Sequence, residues 1–495
     1  MAQKILCCHQ LSRHVIAIIQ FMERKQESQS VIPDSEARSG IQKLLNLWIP
    51  DQVWDDEMQV KINFKSVFII LIVFSSLQAS DLHIVVHAQQ TEKTKVGLVF
   101  VGAPTGDDET MIARLQKDLE HSGQCTIVQK NVAKIKKRFE LKTVLPDDVY
   151  LTVFISKVDD GYAWRLYDML SMEMMVGKKI ACLQRPPRLM AHLIADQLWP
   201  AMFNQSSSFA SKIAFCKRIW KKRGTREKSY KQIWITDFDG THPQLFIDTP
   251  TVNIAPRWAG LECAPLLFYS ENTLSNVQLI MSNMFKKRHV VCCFDGLNMQ
   301  PSFSNNGKEV VYCLSKDGSS QLYHSYVHGL SKYNMSERLT FNDGNNISPC
   351  FIDDDHLVYV SDFETNKPQL YLLDINDQSQ KRITDGGYCA CPCYSKVNNK
   401  LVYSKMIDKG MQLFEYDFTT KQHKQLTKGP GSKEEPSWSA CGNYIVFGMN
   451  EGLKSRIAQL NLITGKLHYL TSEKDHCTYP NCSPVYQNWI GILKE

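Results

Sequence analysis

The chain has 495 residues, of which 43% are hydrophobic and 22% charged, with a formal net charge of +6. That length leaves room for two or three domains, and the composition is ordinary for a soluble globular protein. A charge so mild and diffuse excludes nucleic acid as the implied partner, and sixteen cysteines in a chain this long are not a small disulfide framework.

Residues 1–57 do not read as a domain. They hold one modest amphipathic stretch (Leu44, Leu45, Leu47, Trp48, Ile49) and the acidic end Asp55-Asp56-Glu57. From Met58 the pattern changes. Lys61 and Lys65 precede an apolar run from Val67 to Leu77, and small residues follow at Ser75, Ser76, Ala79 and Ser80. A basic head, a short apolar centre and a small-residue exit describe a secretory signal over 58–88, cleaved after Ala88 or Ala79. The run is too short to cross a bilayer comfortably, so no integral membrane span is expected in the mature chain. The simplest reading starts translation at Met58 and treats 1–57 as an over-extended amino terminus; its rival keeps 1–57 as a cytoplasmic segment before an anchor.

Residues 95–205 form a small α/β domain. Strands are expected at Lys95–Val101, Cys125–Val128, Val149–Ser156, Tyr162–Leu166 and Lys179–Leu183. One helix opens at Asp107-Asp108-Glu109, where acidic residues suit the helix dipole, and buries Met111, Ile112, Leu115 and Leu119. A second runs from about Arg188 to Phe203, and Gln205–Ser208 reads as a hinge. The run Lys217, Arg218, Lys221, Lys222, Arg223, Arg226 and Lys228 falls where a hairpin loop is due; it reads as a solvated loop tip, with a polyanion site as the alternative.

From there the chain repeats itself. Pro256-Arg257-Trp258, Pro301-Ser302-Phe303, Pro349-Cys350-Phe351, Pro392-Cys393-Tyr394, Pro436-Ser437-Trp438 and a degenerate copy at Pro480 recur with a period of about 44. The first five copies are each followed by a β-branched and aromatic strand such as Tyr444–Phe447. A second phrase (Gln232-Ile233-Trp234, Gln321-Leu322-Tyr323, Gln369-Leu370-Tyr371, Gln412-Leu413-Phe414) opens a third strand, and a fourth ends Arg338-Leu339-Thr340 or Arg382-Ile383-Thr384. The fold class that follows is mainly β: a six-bladed β-propeller over 211–490 behind the small α/β domain. The order of the two phrases implies that both ends of the repeat region build the last blade, with Tyr479–Ser483 as its innermost strand, which hides the ring's edges.

No catalytic constellation stands out. There is no Gly-x-Ser-x-Gly, no phosphate-cradling glycine loop and no His-Glu-x-x-His, so no catalytic residue, cofactor or metal is assigned. Asp237-Phe238-Asp239-Gly240 reads as a turn rather than a calcium loop. Cys389, Cys391 and Cys393 alternate along one strand and are expected to share a face, as small packing residues or an opportunistic disulfide, since a zinc site would need a fourth ligand that no Cys-x-x-Cys pair supplies. The useful surface of a propeller is its funnel and the loops at the mouth, here Asn298–Gln300, Asn345–Ser348, Tyr388–Cys391, Lys433–Glu435 and Cys477–Tyr479. They suit a protein loop or extended peptide. Asn345, Asn346, Glu434 and Glu435 are candidates on these grounds.

The signal, the α/β domain, Ile213-Ala214-Phe215, Trp234–Gly240 and the proline phrases together resemble the TolB family, periplasmic β-propeller components of the Tol–Pal system of Gram-negative bacteria. The resemblance covers about residues 81–490. It implies a non-enzymatic adaptor in the periplasm. The propeller would bind the peptidoglycan-associated lipoprotein Pal, and the amino-terminal tail would signal to TolA at the inner membrane, keeping the outer membrane attached during division. Carried onto the proline phrases, it puts the Pal-contacting rim at Leu297, Asn298, Gln300, Ile347 and Ser348. The turns depart from the family's Ser-Pro-Asp-Gly: here they read Ser-Asn-Asn-Gly, Ser-Ala-Cys-Gly or Ile-Asp-Asp-Asp. The alternative is a propeller hydrolase or small-ligand binder using the central funnel.

Overall fold

The structure, a computed structural model, describes residues 93–135, 144–182, 185–223, 226–259, 265–327 and 336–485. The over-extended terminus read at 1–57 and the signal read at 58–88 lie outside the described residues.

The amino-terminal region is a five-stranded sheet with two helices. β1 (Thr94–Val101) leads into α1 (Gly106–His121), and β2 (Cys125–Val132), β3 (Leu151–Val158), β4 (Gly161–Asp168), β5 (Glu173–Ala181) and α2 (Pro187–Phe203) follow. The sheet order is β2-β1-β3-β4-β5, with β1 parallel to both its neighbours. Alternation along β1 sets the layers. Val96, Leu98 and Phe100 pack with Met111, Ile112, Leu115 and Leu119 of α1 and with Ile194 and Leu198 of α2. Val99 faces the other side, against Val144 and Phe154. At the start of α1 the Thr105 amide and hydroxyl donate to Asp108 Oδ2 at 2.8 and 2.7 Å, a capping interaction that fixes where the helix begins.

The propeller strands run β6 (Lys212–Arg223), β7 (Arg226–Asp237), β8 (Gln244–Ile247), β9 (Val252–Ala259), β10 (Leu266–Asn272), β11 (Val277–Asn283) and β12 (Arg288–Cys292). Next come β13 (Asn298–Phe303), β14 (Glu309–Leu314), β15 (Gln321–Tyr326), β16 (Glu337–Arg338), β17 (Ile347–Phe351), β18 (His356–Ser361), β19 (Gln369–Asp374) and β20 (Gln380–Arg382). The last are β21 (Cys389–Ser395), β22 (Lys400–Ile407), β23 (Gly410–Asp417), β24 (Gln422–Gln425), β25 (Ser432–Trp438), β26 (Tyr444–Glu451), β27 (Lys454–Asn461), β28 (Leu467–Tyr469) and β29 (Cys477–Cys482).

β13–β16, β17–β20, β21–β24 and β25–β28 each form a separate four-stranded sheet in chain order. The remaining strands form one sheet of eight, not the two further separate blades expected from the repeat. The cause is local. β8 pairs only with Ile233–Ile235, so the edge of β7 at Lys231 stays open and Val252 at the start of β9 takes it in one parallel pair. Within this sheet β29 pairs antiparallel with β6, Cys477 opposite Lys217 and Cys482 opposite Ile213. Backbone groups of the last strand are thereby satisfied by the first strand of the repeat region.

Three of the four separate sheets are stapled by a Gln–Thr pair where the third strand begins. Thr384 Oγ1 accepts the Leu370 amide at 2.9 Å and donates to Gln369 Oε1 at 2.8 Å, while Gln369 Nε2 reaches Gly387 O at 2.8 Å. Thr340 with Gln321 and Thr427 with Gln412 repeat the pattern. The recurring Gln and Thr, buried apart from half-buried Thr427, are therefore polar groups satisfied by one another and by backbone. Three of the third-to-fourth strand turns are closed the same way, Asp374, Asp417 and Asn461 accepting the amides two and three residues on.

Two expectations fail on local grounds. Gln205–Ser208 is not a free hinge: Ser208 Oγ accepts the Cys441 amide at 2.8 Å, and the Asp196 carboxylate accepts the Phe209 and Ala210 amides at 2.8 Å each. The basic run is not a loop tip, because β6 and β7 stay paired from Lys212–Asp237 out to Arg223–Arg226.

Candidate functional site

Six innermost strands converge on the hub, and each carries one extra residue relative to its partner strand. The residue before each anchor proline is in the left-handed region: Ala255 (φ 52°), Gln300 (55°), Ser348 (52°), Cys391 (53°), Glu435 (57°) and Tyr479 (56°). A non-glycine residue is held there only where its surroundings enforce it. Here the enforcement is a set of hydrogen bonds between neighbouring repeats. The amide two residues past one proline donates to the side chain one residue past the proline of the repeat before. The Trp258 amide reaches Asn481 Oδ1 (2.8 Å), Phe351 reaches Ser302 Oγ (3.0 Å) and Cys482 reaches Ser437 Oγ (3.0 Å). Sulfur serves in two places, Tyr394 to Cys350 Sγ (3.2 Å) and Trp438 to Cys393 Sγ (3.5 Å). At the sixth place stands Arg257, which has no acceptor to offer.

The bulge also rephases the cysteines of β21. Cys389 pairs opposite Lys405 and Cys393 opposite Val402, so the two point to opposite faces rather than sharing one. Cys389 is buried in the core and Cys391 lines the hub. The thirteen cysteines among the described residues are free thiols, and no group of three or more metal-ligating side chains occurs among those residues.

The hub encloses a cavity of about 440 Å³ lined by Arg257, Gln300, Ser348, Cys391, Glu435 and Tyr479, among others. Its electrostatics centre on Glu435. Burial pushes that carboxyl up to about 7, against the Tyr479 amide that donates to it and the nearby Lys231, and Glu434 adds to the rise. Lys433 is withdrawn from solvent, its ammonium donating to the carbonyls of Gly429, Pro430 and Gly431, and burial lowers its pKa.

The sequence-derived rim divides in three. Leu297 and Asn345 are exposed at the mouth, Asn345 held by Asp362 at 2.7 Å, and Ile347, Ser348 and Glu434 are half-buried beside it. Gln300 and Glu435 face the hub, where Gln300 Oε1 accepts the Ser348 amide at 2.9 Å. Asn298 and Asn346 are fully buried and are not surface groups at all. Asn298 Nδ2 donates to Val277 O and Phe294 O at 2.8 and 2.7 Å, and Asn346 Nδ2 to Gln321 Oε1 at 2.9 Å. Both close their loops from inside, which explains an asparagine there without any partner. Arg257, the hub cation, escaped sequence reasoning; its signal was the position after the first anchor proline, where other repeats carry Ser, Cys or Asn.

A second cluster joins the α/β region to the propeller at the opposite ends of the strands. Buried His192 lies 2.7 Å from Asp118 and 3.3 Å from Asp237, and Asp237 also pairs with Arg188 (2.8 Å) and Lys212. Burial alone would lower the His192 pKa, but the two aspartates outweigh it and raise it to about 9. Asp237, despite its own burial, is held well below the usual carboxylate range by His192, Lys212 and Arg188. Arg114 bridges Asp118 and Asp239. Asp237–Gly240 is a turn, closed by the Gly240 amide on Asp237 O at 2.9 Å. Gly240 sits at φ +82°, where a Cβ would meet Leu470 O at 2.8 Å. Close by, His121 bonds Gln459 Oε1 at 2.7 Å and stacks on Tyr444.

Comparison with known proteins bears on both regions. A family model described as the TolB beta propeller domain matches residues 200–486. The Tol-Pal system protein TolB of Ruthia magnifica subsp. Calyptogena magnifica is 26% identical over 169 residues, 34% of this chain and 39% of that protein. The protein of the same name from Vesicomyosocius okutanii subsp. Calyptogena okutanii is 22% identical over 260 residues, 51% of this chain and 61% of that one. The chain thus spans less than two thirds of the length of these relatives. The crystal structure of TolB from Acinetobacter baumannii superposes with a TM-score of 0.66 at 20% identity, covering 79% of this chain and 97% of that one. At that identity the likeness is one of fold.

Proposed function

The chain belongs to the TolB β-propeller family, and on that premise we propose that it is a non-enzymatic periplasmic adaptor of a Tol–Pal system. Its propeller is the docking ring for a Pal-like lipoprotein, and its amino-terminal tail reports to a TolA-like inner-membrane protein, which maintains the outer membrane and supports division. The domains are those read from the sequence: the signal at 58–88, the α/β domain at 95–205 and the propeller at 211–490. The ring has six blades, the eight-stranded sheet counting as two blades joined through the single Lys231–Val252 pair.

The observation that carries the reading is the hub. Six left-handed residues precede six prolines, and five of the six junctions between repeats carry the hydrogen bond, the one from Trp258 to Asn481 at the seam among them. Those links support a closed disc with a rigid mouth, and rigid rims bind with little ordering cost. Leu297, Gln300, Asn345, Ile347, Ser348, Glu434 and Glu435 are the proposed contacts. Asn298 and Asn346 support them from beneath. The junction at His192 lies at the far ends of the same strands, so rim occupancy and tail docking can be coupled through the α/β region.

Pull-down from envelope extracts tests the proposal. Recovery of a Pal-like lipoprotein on wild-type protein, and its loss on a Leu297→Asp, Ile347→Asp variant, is the expected result. Equal recovery on both would overturn the assignment of the rim.

A further inference from the structure

The hairpin of β6 and β7 reaches past the sheet it belongs to. β29 accompanies β6 only as far as Lys217, and β8 accompanies β7 only from Ile233. Residues 218–223 and 226–230 therefore continue as a two-stranded ribbon on the side where the innermost strands begin, the side of the rim. Within 217–231 the sequence places Lys217, Arg218, Lys221, Lys222, Arg223, Arg226, Lys228 and Lys231 against the single acid Glu227. That segment carries +7, more than the +6 of the whole chain, so the rest of the protein is slightly acidic.

The register sharpens the point. Lys221 stands directly opposite Lys228, a like-charge pair across the ladder. Like charges directly opposite destabilise a ladder. Below them on the same face Ile219 pairs with Tyr230, and Lys221 Nζ lies 4.9 Å from the Tyr230 ring centroid. On the other face Trp220 is 42% exposed, with Arg218 5.9 Å from its ring centroid. Lys217 is paired with Asp475 at the base, but Arg218, Lys221 and Lys228 are solvent-exposed.

We propose that this ribbon is a membrane-surface anchor that docks on anionic phospholipid headgroups. Its cations meet the phosphates and Trp220 seats at the headgroup boundary, where indole is favoured. The ribbon exposes cations on both strands, Arg218 and Lys221 on one and Lys228 on the other, with Trp220 among them, which suits an extended plane of anionic charge with an interfacial boundary for the indole. The inference does not depend on which protein the rim binds.

The test is co-sedimentation of the full chain with vesicles of phosphatidylcholine alone or with about a third phosphatidylglycerol, at low and at physiological salt. An apolar segment elsewhere in the chain would bind both vesicles alike, so the readout is the preference for the anionic ones. Wild type is expected to prefer them, and salt to weaken the preference. Arg218→Glu, Lys221→Glu, Lys228→Glu together should cut the preference by about a hundredfold or more. Lys221→Glu alone separates binding from folding. It sets a carboxylate opposite Lys228, so the thermal midpoint should hold or rise while the preference falls several-fold. No anionic preference in wild type, or one unchanged by the triple substitution, overturns the proposal. Soluble polyglutamate bound tightly by a protein that ignores the vesicles overturns it in favour of an acidic protein segment.

Discussion

The imidazole of His192 bonds Asp118 through Nδ1 at 2.7 Å, inside the seam where the α/β region meets the propeller. Its Nε2 faces Asp237 at 3.3 Å, and Arg188, Lys212, Arg114 and Asp196 complete the charged surroundings. A histidine raised to about 9 favours the folded state most fully below its unfolded value of 6.5 and loses that contribution as pH climbs to 9. Thermal melts should therefore show stability falling across that window by of order 3 kcal/mol. In the His192→Gln variant that slope should flatten, with a loss of about 3 kcal/mol at pH 6 because the cation shared by two buried carboxylates is gone, although Arg114 still pairs with Asp118 and Arg188 and Lys212 with Asp237.

Glu435 gives a slope of the same sign by a different route. Its carboxyl, pushed up to about 7 by burial, favours the folded state while protonated, so its cost grows as pH rises from 4.5 to 7. Glu435→Gln keeps the shape and removes the charge. It should stabilise the protein at pH 8 by about 2 kcal/mol and leave stability at pH 4 nearly unchanged, as read from denaturant midpoints.

The blade staples supply a third prediction. Thr384→Val keeps the volume but strands the Leu370 amide and Gln369 Oε1 in the interior. Urea unfolding should register a loss of about 2 kcal/mol. The equivalent substitution at Thr340 or Thr427 should cost a similar amount, since each makes the same two bonds.

Hub closure is tested by Asn481→Ala. That side chain accepts the Trp258 amide and donates to Ser437 Oγ at 3.2 Å, so it ties the last strand to two neighbours. The expected loss is about 1–3 kcal/mol. Hydrogen exchange should rise first in β29 and β9, the strands the asparagine joins.

What could be read from the sequence was what repeats. Proline, glutamine and threonine recur at one spacing because each does one geometric task per module: bulge, staple, strand end. What is done once left no period to find. Arg114 with Asp239 and His192 with Asp237 are far apart in the chain, so no spacing announced them. Eight cations hid the β-forming Ile219, Trp220 and Tyr230, and the ribbon looked like a loop. Asn298 and Asn346 looked like rim because they stand just before proline phrases, yet loop carbonyls and Gln321 claim them from within. Alternation along Cys389–Cys393 failed because one extra residue reverses the phase.

The central claim is that the mouth of this ring binds a Pal-like lipoprotein. Isothermal titration of the soluble domain of that lipoprotein into the purified chain addresses it most directly. A saturable one-to-one complex is predicted, weakened by about 2 kcal/mol or more in Leu297→Asp, Ile347→Asp and unaffected by Lys221→Glu. Absence of heat and of any complex by sedimentation, with the protein folded, would contradict it.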